Sequence, residues 1–253
     1  MKEHVLRIRQ KLPRIGGRKL HYLLGPILEK ENIDIGRDKL FSLLREEHLL
    51  LPKRKKYFKT TNSKHWMRKY PNLIQHIEIK MPEQVWVADI TYLQASNKHY
   101  YLHLITDAYS KKIMGYNLTD NLAASSTTTA LKKALSKRIY DHSLIHHSDR
   151  GLQYCSSEYT DLLKKNNILI SMTESYDPYE NAVAERINGI LKDEFLLDSN
   201  FKNFETLESN VYQAIALYNQ IRPHFSIELL TPNKAHKQST IKLKSWKKQT
   251  PFI

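Results

Sequence analysis

The chain has 253 residues, 41% of them hydrophobic, a single cysteine (Cys155) and a formal net charge of +14. That rules out an internal disulfide or a cysteine-rich zinc site. No run approaches the roughly 20 apolar residues of a membrane span, so a cytoplasmic protein is expected. The cationic excess points to a polyanionic partner and is uneven: residues 1–78 hold 19 Lys+Arg against 8 Asp+Glu, and residues 79–253 hold 21 against 18.

In chain order, residues 1–50 read as a helical, helix-turn-helix-like DNA-binding domain. Helices are predicted over Met1–Lys11, Arg18–Lys30 and Arg37–Glu47, with Leu20, Leu23, Leu24, Ile27 and Leu28, then Leu40, Leu43 and Leu44, at helical spacing. Pro13 and Gly16-Gly17 separate the first two. On this reading Arg37, Lys39 and Arg45 lie on or near the groove-facing helix. Residues 51–79 lack apolar periodicity and read as a basic linker. Its run Lys53, Arg54, Lys55, Lys56 is followed by Tyr57, Phe58 and Trp66, which suits phosphate contact with some stacking.

From residue 80 the pattern changes to strands. Val85–Gln94, Tyr100–Asp107 and Lys112–Leu118 predict an antiparallel meander, with a polar turn at Ser96-Asn97-Lys98. Helix Ala123–Lys137, strand Leu144–His147, helix Ser157–Lys165, strand Ile168–Met172 and helix Asn181–Leu196 follow. That order predicts an α/β, ribonuclease-H-like core over residues 80–196, a mixed five-stranded sheet flanked by helices. Residues 197–253 then hold a helix over Phe204–Gln220 and a Lys-rich tail.

Three acids stand out. Asp89 interrupts the apolar run Val85–Leu93, where a charge is costly without compensation. Asp149 follows the run Leu144–Ser148, and Glu185 lies in the last core helix. Carboxylates converging from two strands and a helix suit hard divalent cations such as Mg²⁺. In a basic protein they point to metal-assisted chemistry on nucleic-acid phosphates. Other polar residues read as structural. His146 and His147 alternate across a strand and pack around the Asp149 turn; Asp107 caps a strand end; Trp86 is core; Asp193 and Glu194 are solvated. The loop containing Tyr176, Pro178 and Tyr179 is a candidate contact for a DNA end.

The segments Val85-Trp86-Val87-Ala88-Asp89-Ile90-Thr91-Tyr92, His146-His147-Ser148-Asp149-Arg150-Gly151 and Asn181-Ala182-Val183-Ala184-Glu185-Arg186-Ile187-Asn188-Gly189-Ile190-Leu191-Lys192 resemble the integrase core of retroviral integrases and insertion-sequence transposases, the DDE superfamily. The chain is most similar to the OrfB protein of insertion-sequence-three-type transposases, in the helical N-terminal region and at Tyr218-Asn219 and Arg222-Pro223-His224 as well. The resemblance implies that Asp89, Asp149 and Glu185 are catalytic and bind two Mg²⁺ ions, for which Mn²⁺ substitutes. Asp89 would bridge the ions. Lys192, seven positions after Glu185, fills the family's basic position and reaches DNA. The implied activity is cleavage at the element's ends followed by strand transfer. The implied partners are double-stranded DNA (element ends and target), further copies of the chain, and an OrfA protein, since no coiled-coil heptads precede the helical region. The implied place is the bacterial nucleoid. The alternatives are a catalytically inactive DNA-binding regulator derived from a transposase, and a nuclease without strand transfer.

Overall fold

A computed structural model describes residues 1–52, 66–174 and 181–243. Lys53, Arg54, Lys55, Lys56, Tyr57, Phe58, Tyr176, Pro178, Tyr179 and the tail from Lys244 lie outside the described residues. Strands β1 (Val85–Ala95), β2 (Lys98–Asp107) and β3 (Ile113–Thr119) form the expected antiparallel meander. Between β1 and β2, Ser96 and Asn97 both take positive φ, 49° and 59°, as a two-residue hairpin requires. Strands β4 (Ile145–Ser148) and β5 (Leu169–Met172) add in parallel on the far side of β1, giving the order β3-β2-β1-β4-β5. A two-residue strand, β6 (Asn200–Phe201), pairs with the end of β1 and raises the predicted five strands to six.

Helices cover both faces. Helix α4 (Ala124–Leu135), the single-turn α5 (Leu152–Cys155) and α6 (Ser157–Lys165) pack on Trp86, Ala88, Ile105 and Met114. Helix α4 lies so close to β3 that a Cβ at Gly115 would run into the backbone of Ala130 and Ala134, so only glycine fits there. On the other face α7 (Ala182–Glu194) and α8 (Phe204–Ile221) bury Ile187, Ile190, Leu191, Leu207 and Val211 against Leu93, Leu102 and Leu104.

The N-terminal helices are α1 (Lys2–Lys11), α2 (Gly17–Lys30) and α3 (Arg37–Glu46), close to their predicted bounds. Leu20, Leu24, Leu28, Leu40 and Leu44 are buried among them, each contributing about 1.5–3 kcal/mol on burial. That outweighs the cost of Pro26 inside α2, about 3 kcal/mol. These leucines belong to the same apolar cluster as the side chains of α7 and α8, so one core runs from the first helix to the sheet.

The described part of the linker segment, residues 66–79, is fastened to the core: Met172 N donates to Pro71 O at 3.3 Å, Leu73 N donates to Ser171 Oγ at 2.9 Å, and Leu73, Ile74 and Ile79 pack against the core. One expectation is overturned. Glu194 is buried rather than solvated. It accepts from Arg222 Nε and Nη2, both at 2.8 Å, and from Lys19 Nζ at 3.2 Å. Burial raises its pKa, and these two cations more than reverse that. A buried carboxylate is tolerable only with such partners.

Candidate active site

The parallel register between β1 and β4 locates the first two acids. Val85 faces Ile145, Trp86 faces His146 and Val87 faces His147. Asp89 and Asp149 stand two residues beyond the last pair on their respective strands, at the same offset. Beyond Ser148 the chain leaves the sheet: Asp149 Oδ1 accepts from Gly151 N at 2.9 Å, and this turn starts α5.

Two asparagines fix α7 to β1. At the helix start Asn181 Nδ2 donates to Ala88 O at 3.0 Å. Two turns on, Asn188 Nδ2 donates to Asp89 Oδ2 at 2.7 Å. Glu185 lies between them in the first turn of α7, so the helix can only present it beside Asp89. Positions 185, 188 and 192 share one helical face, which places Lys192 on the same stripe. Asp89, Asp149, Glu185 and Lys192 are all half-buried.

Electrostatics ties the group together. The Asp89 carboxyl is pushed up to about 7 by its low-dielectric surroundings, then by the negative charges of Asp149 and Glu185, against hydrogen bonds from Ile90 N and Asn188. Lys192 is lowered by burial, while Asp198 and then Asp89 favour its charged form. Buried Tyr154 on α5 is raised by desolvation and by Asp89 and Asp149. Asn181, Asn188 and Tyr154 carry no assigned role in the sequence pattern, though Asn188 is legible there as the polar residue one turn after Glu185.

Among the described residues no three or more His, Cys, Asp and Glu side chains are gathered tightly enough to hold a metal ion. Asp89, Asp149 and Glu185 are neighbours in charge rather than a closed cage. Their chemistry nevertheless fits a hard dication: three oxygen donors whose mutual repulsion such an ion would relieve. Two further amide oxygens, Asn181 Oδ1 and Asn188 Oδ1, are buried and find no hydrogen-bond partner among the described residues.

Other expected residues are distributed as follows. Arg37, Lys39 and Arg45 are exposed on α3. His146 Nε2 pairs with Tyr159 OH at 2.8 Å and His147 Nδ1 with Ser171 Oγ at 2.8 Å, the packing role expected of them. Trp86 is fully buried. Asp107 caps its strand end, accepting from Glu83 N, Ser110 N and Ser110 Oγ.

Comparison with known proteins agrees with this architecture. Family models described as integrase core domain match residues 79–178 and 166–232. An IS600 insertion-element protein of 31 kDa from Shigella sonnei is 35% identical over 207 residues, covering 81% of this chain and 76% of that one. The transposase InsF for insertion sequence IS3A of Escherichia coli K12 is 31% identical over 193 residues, covering 76% and 67%. Among solved structures, the HTLV-2 integrase catalytic core domain in complex with magnesium superposes with a TM-score of 0.50 at 22% identity, covering 62% of this chain and 97% of that one. A simian T-cell lymphotropic virus intasome chain gives 0.55 at 18% identity, covering 94% and 77%. The chain belongs to the IS3-type transposases, which are built on an integrase core.

Proposed function

We propose that Asp89, Asp149 and Glu185 are the catalytic carboxylates of this DDE-type transposase, and that they would hold two divalent ions, Mg²⁺ or Mn²⁺. The observation that supports the reading is the double tie of α7 to β1, Asn181 to Ala88 and Asn188 to Asp89, which brings Glu185 close enough that it joins Asp149 in disfavouring the charged form of Asp89. When bound, such ions supply charge neutralisation at phosphorus and activation of the attacking oxygen. The chain's own residues do the rest. Asn188 fixes the Asp89 carboxylate, Asn181 fixes the start of the helix, and the half-buried Lys192 offers a cation to a nearby phosphate.

The chemistry has two displacements. First, a water oxygen bonds to phosphorus as the bond to the 3′ oxygen breaks, leaving a 3′-OH and a 5′-phosphate. Then that 3′-OH attacks a target phosphodiester, forming one P–O bond and releasing a new 3′-OH. For DNA binding, exposed Arg37, Lys39 and Arg45 on α3 are proposed to grip the duplex, and the sequence run Lys53, Arg54, Lys55, Lys56 to contact phosphates without base preference. A second copy, to hold two ends together, and an OrfA partner complete the proposal.

The test is a duplex bearing the element's end, incubated with Mg²⁺ or Mn²⁺. A nick exposing the 3′-OH and a joined product are expected, both abolished by a chelator. Binding without cutting would sink the reading, and cutting without joining would reduce it to a nuclease.

A further inference from the structure

Away from the acid trio, a cleft of about 340 Å³ opens where the start of α2 faces α7. Its walls carry four cations, Arg14, Arg18, Lys19 and Arg186, against two carboxylates, Asp193 and Glu194. We propose that this cleft seats a backbone phosphate of the DNA strand leading to Asp89, Asp149 and Glu185, an inference that rests on the transposase reading above.

The bland alternative is a solvated basic surface, and four features favour a site. The cations come from two segments far apart in sequence, the α1–α2 turn with the start of α2, and α7, and line a concavity rather than a convex face. Glu194, which would otherwise offset them, takes two of its three hydrogen bonds from Arg222, a cation outside the four, and the third from Lys19, so the cleft stays cationic. Lys19 is held down to about 8 by burial, then by Arg222, with Arg186 adding to the positive field and only Glu194 opposing. The uncapped start of α2 at Gly16 adds positive partial charge.

The placement also fits the substrate. Arg186 follows Glu185 on α7, about 100° round the helix. The helix therefore presents the acid stripe on one side and the cleft stripe, from Arg186 to Glu194, on the next. Eight residues span about 12 Å, equal to three or four nucleotides at about 3.4 Å each. A strand crossing α7 thus reaches the cleft within a few nucleotides of the scissile phosphate. The role assigned to the cleft is to set how far the end is inserted.

The experiment compares the full chain with Arg18→Gln/Arg186→Gln and Arg18→Lys/Arg186→Lys in binding a plain duplex across a salt series. Both side chains are exposed, so the fold should tolerate either change, and melting curves check this. The Gln variant is expected to bind about tenfold more weakly, with the slope of log affinity against log salt reduced by about 0.9 for each phosphate no longer neutralised. The Lys variant keeps the slope. A Gln variant with wild-type affinity and slope overturns the cleft while leaving the transposase reading intact. A wild-type chain that does not bind duplex overturns both. In a parallel arm with inorganic phosphate, thermal protection of wild type but not of the Gln variant, with duplex binding equal in the two, would assign the cleft to free phosphate and overturn the DNA proposal.

Discussion

Asp89 shows how one residue's surroundings announce a role. An unpaired carboxylate inside an apolar strand is costly, and here two further acids raise the cost instead of lowering it. Glu194 is the instructive contrast, also a carboxylate and less exposed, but paired by Lys19 and Arg222. Its function is structural: Arg14 N also donates to its carbonyl at 3.0 Å, so the last turn of α7 is bolted to the α1–α2 turn. Glu194→Ala leaves two buried cations without their partner and is expected to cost about 3–5 kcal/mol in chemical denaturation. A loss below about 1 kcal/mol would mean that solvent screens the triad.

At the scale of elements, α7 is the organising piece: it carries Glu185, Asn188 and Lys192 on one stripe and Arg186 beside them. The short α9 (Pro232–Ala235) is held differently. His236, just after it, pairs with Glu83 Oε1 at 3.0 Å, with Asp107 Oδ2 at 3.4 Å and with Ser110 Oγ at 3.0 Å, while Tyr140 OH donates to its carbonyl. Burial and nearby Lys112 pull the imidazole pKa down, but the bonds to Asp107 and Glu83 outweigh them and raise it. A raised folded pKa means stability that is full below the ordinary histidine value and lost as pH climbs through the folded one. His236→Gln is therefore expected to be less stable than wild type by about 2 kcal/mol below the ordinary histidine pKa, with the gap closing as pH rises above that value. A gap independent of pH would contradict a charged His236. Periodicity made the long elements legible, and α6 has its predicted bounds. Helices α5 and α9, at four residues each, are too short to show a helical period. Burial of Glu194 depends on Lys19, 175 positions away, and no local pattern announces such a partner.

Across the whole molecule the charge split has a structural counterpart. The basic N-terminal helices share one apolar core with α7 and α8, so the part proposed to grip DNA and the part proposed to cut it move together. The acids were legible because the motifs around them are long. The cleft at the junction was not, since it exists only once α2 meets α7. A metal-holding catalytic Asp89 and a merely strained structural one differ in what the loss of its charge does. Asp89→Asn keeps the shape and the Asn188 neighbour while removing the charge. Single-turnover cleavage of an end-bearing duplex in Mg²⁺ and in Mn²⁺, with duplex affinity measured alongside, decides the matter. Cleavage reduced by about a thousandfold or more with affinity nearly unchanged is expected; wild-type cleavage by Asp89→Asn in either metal would contradict a catalytic Asp89.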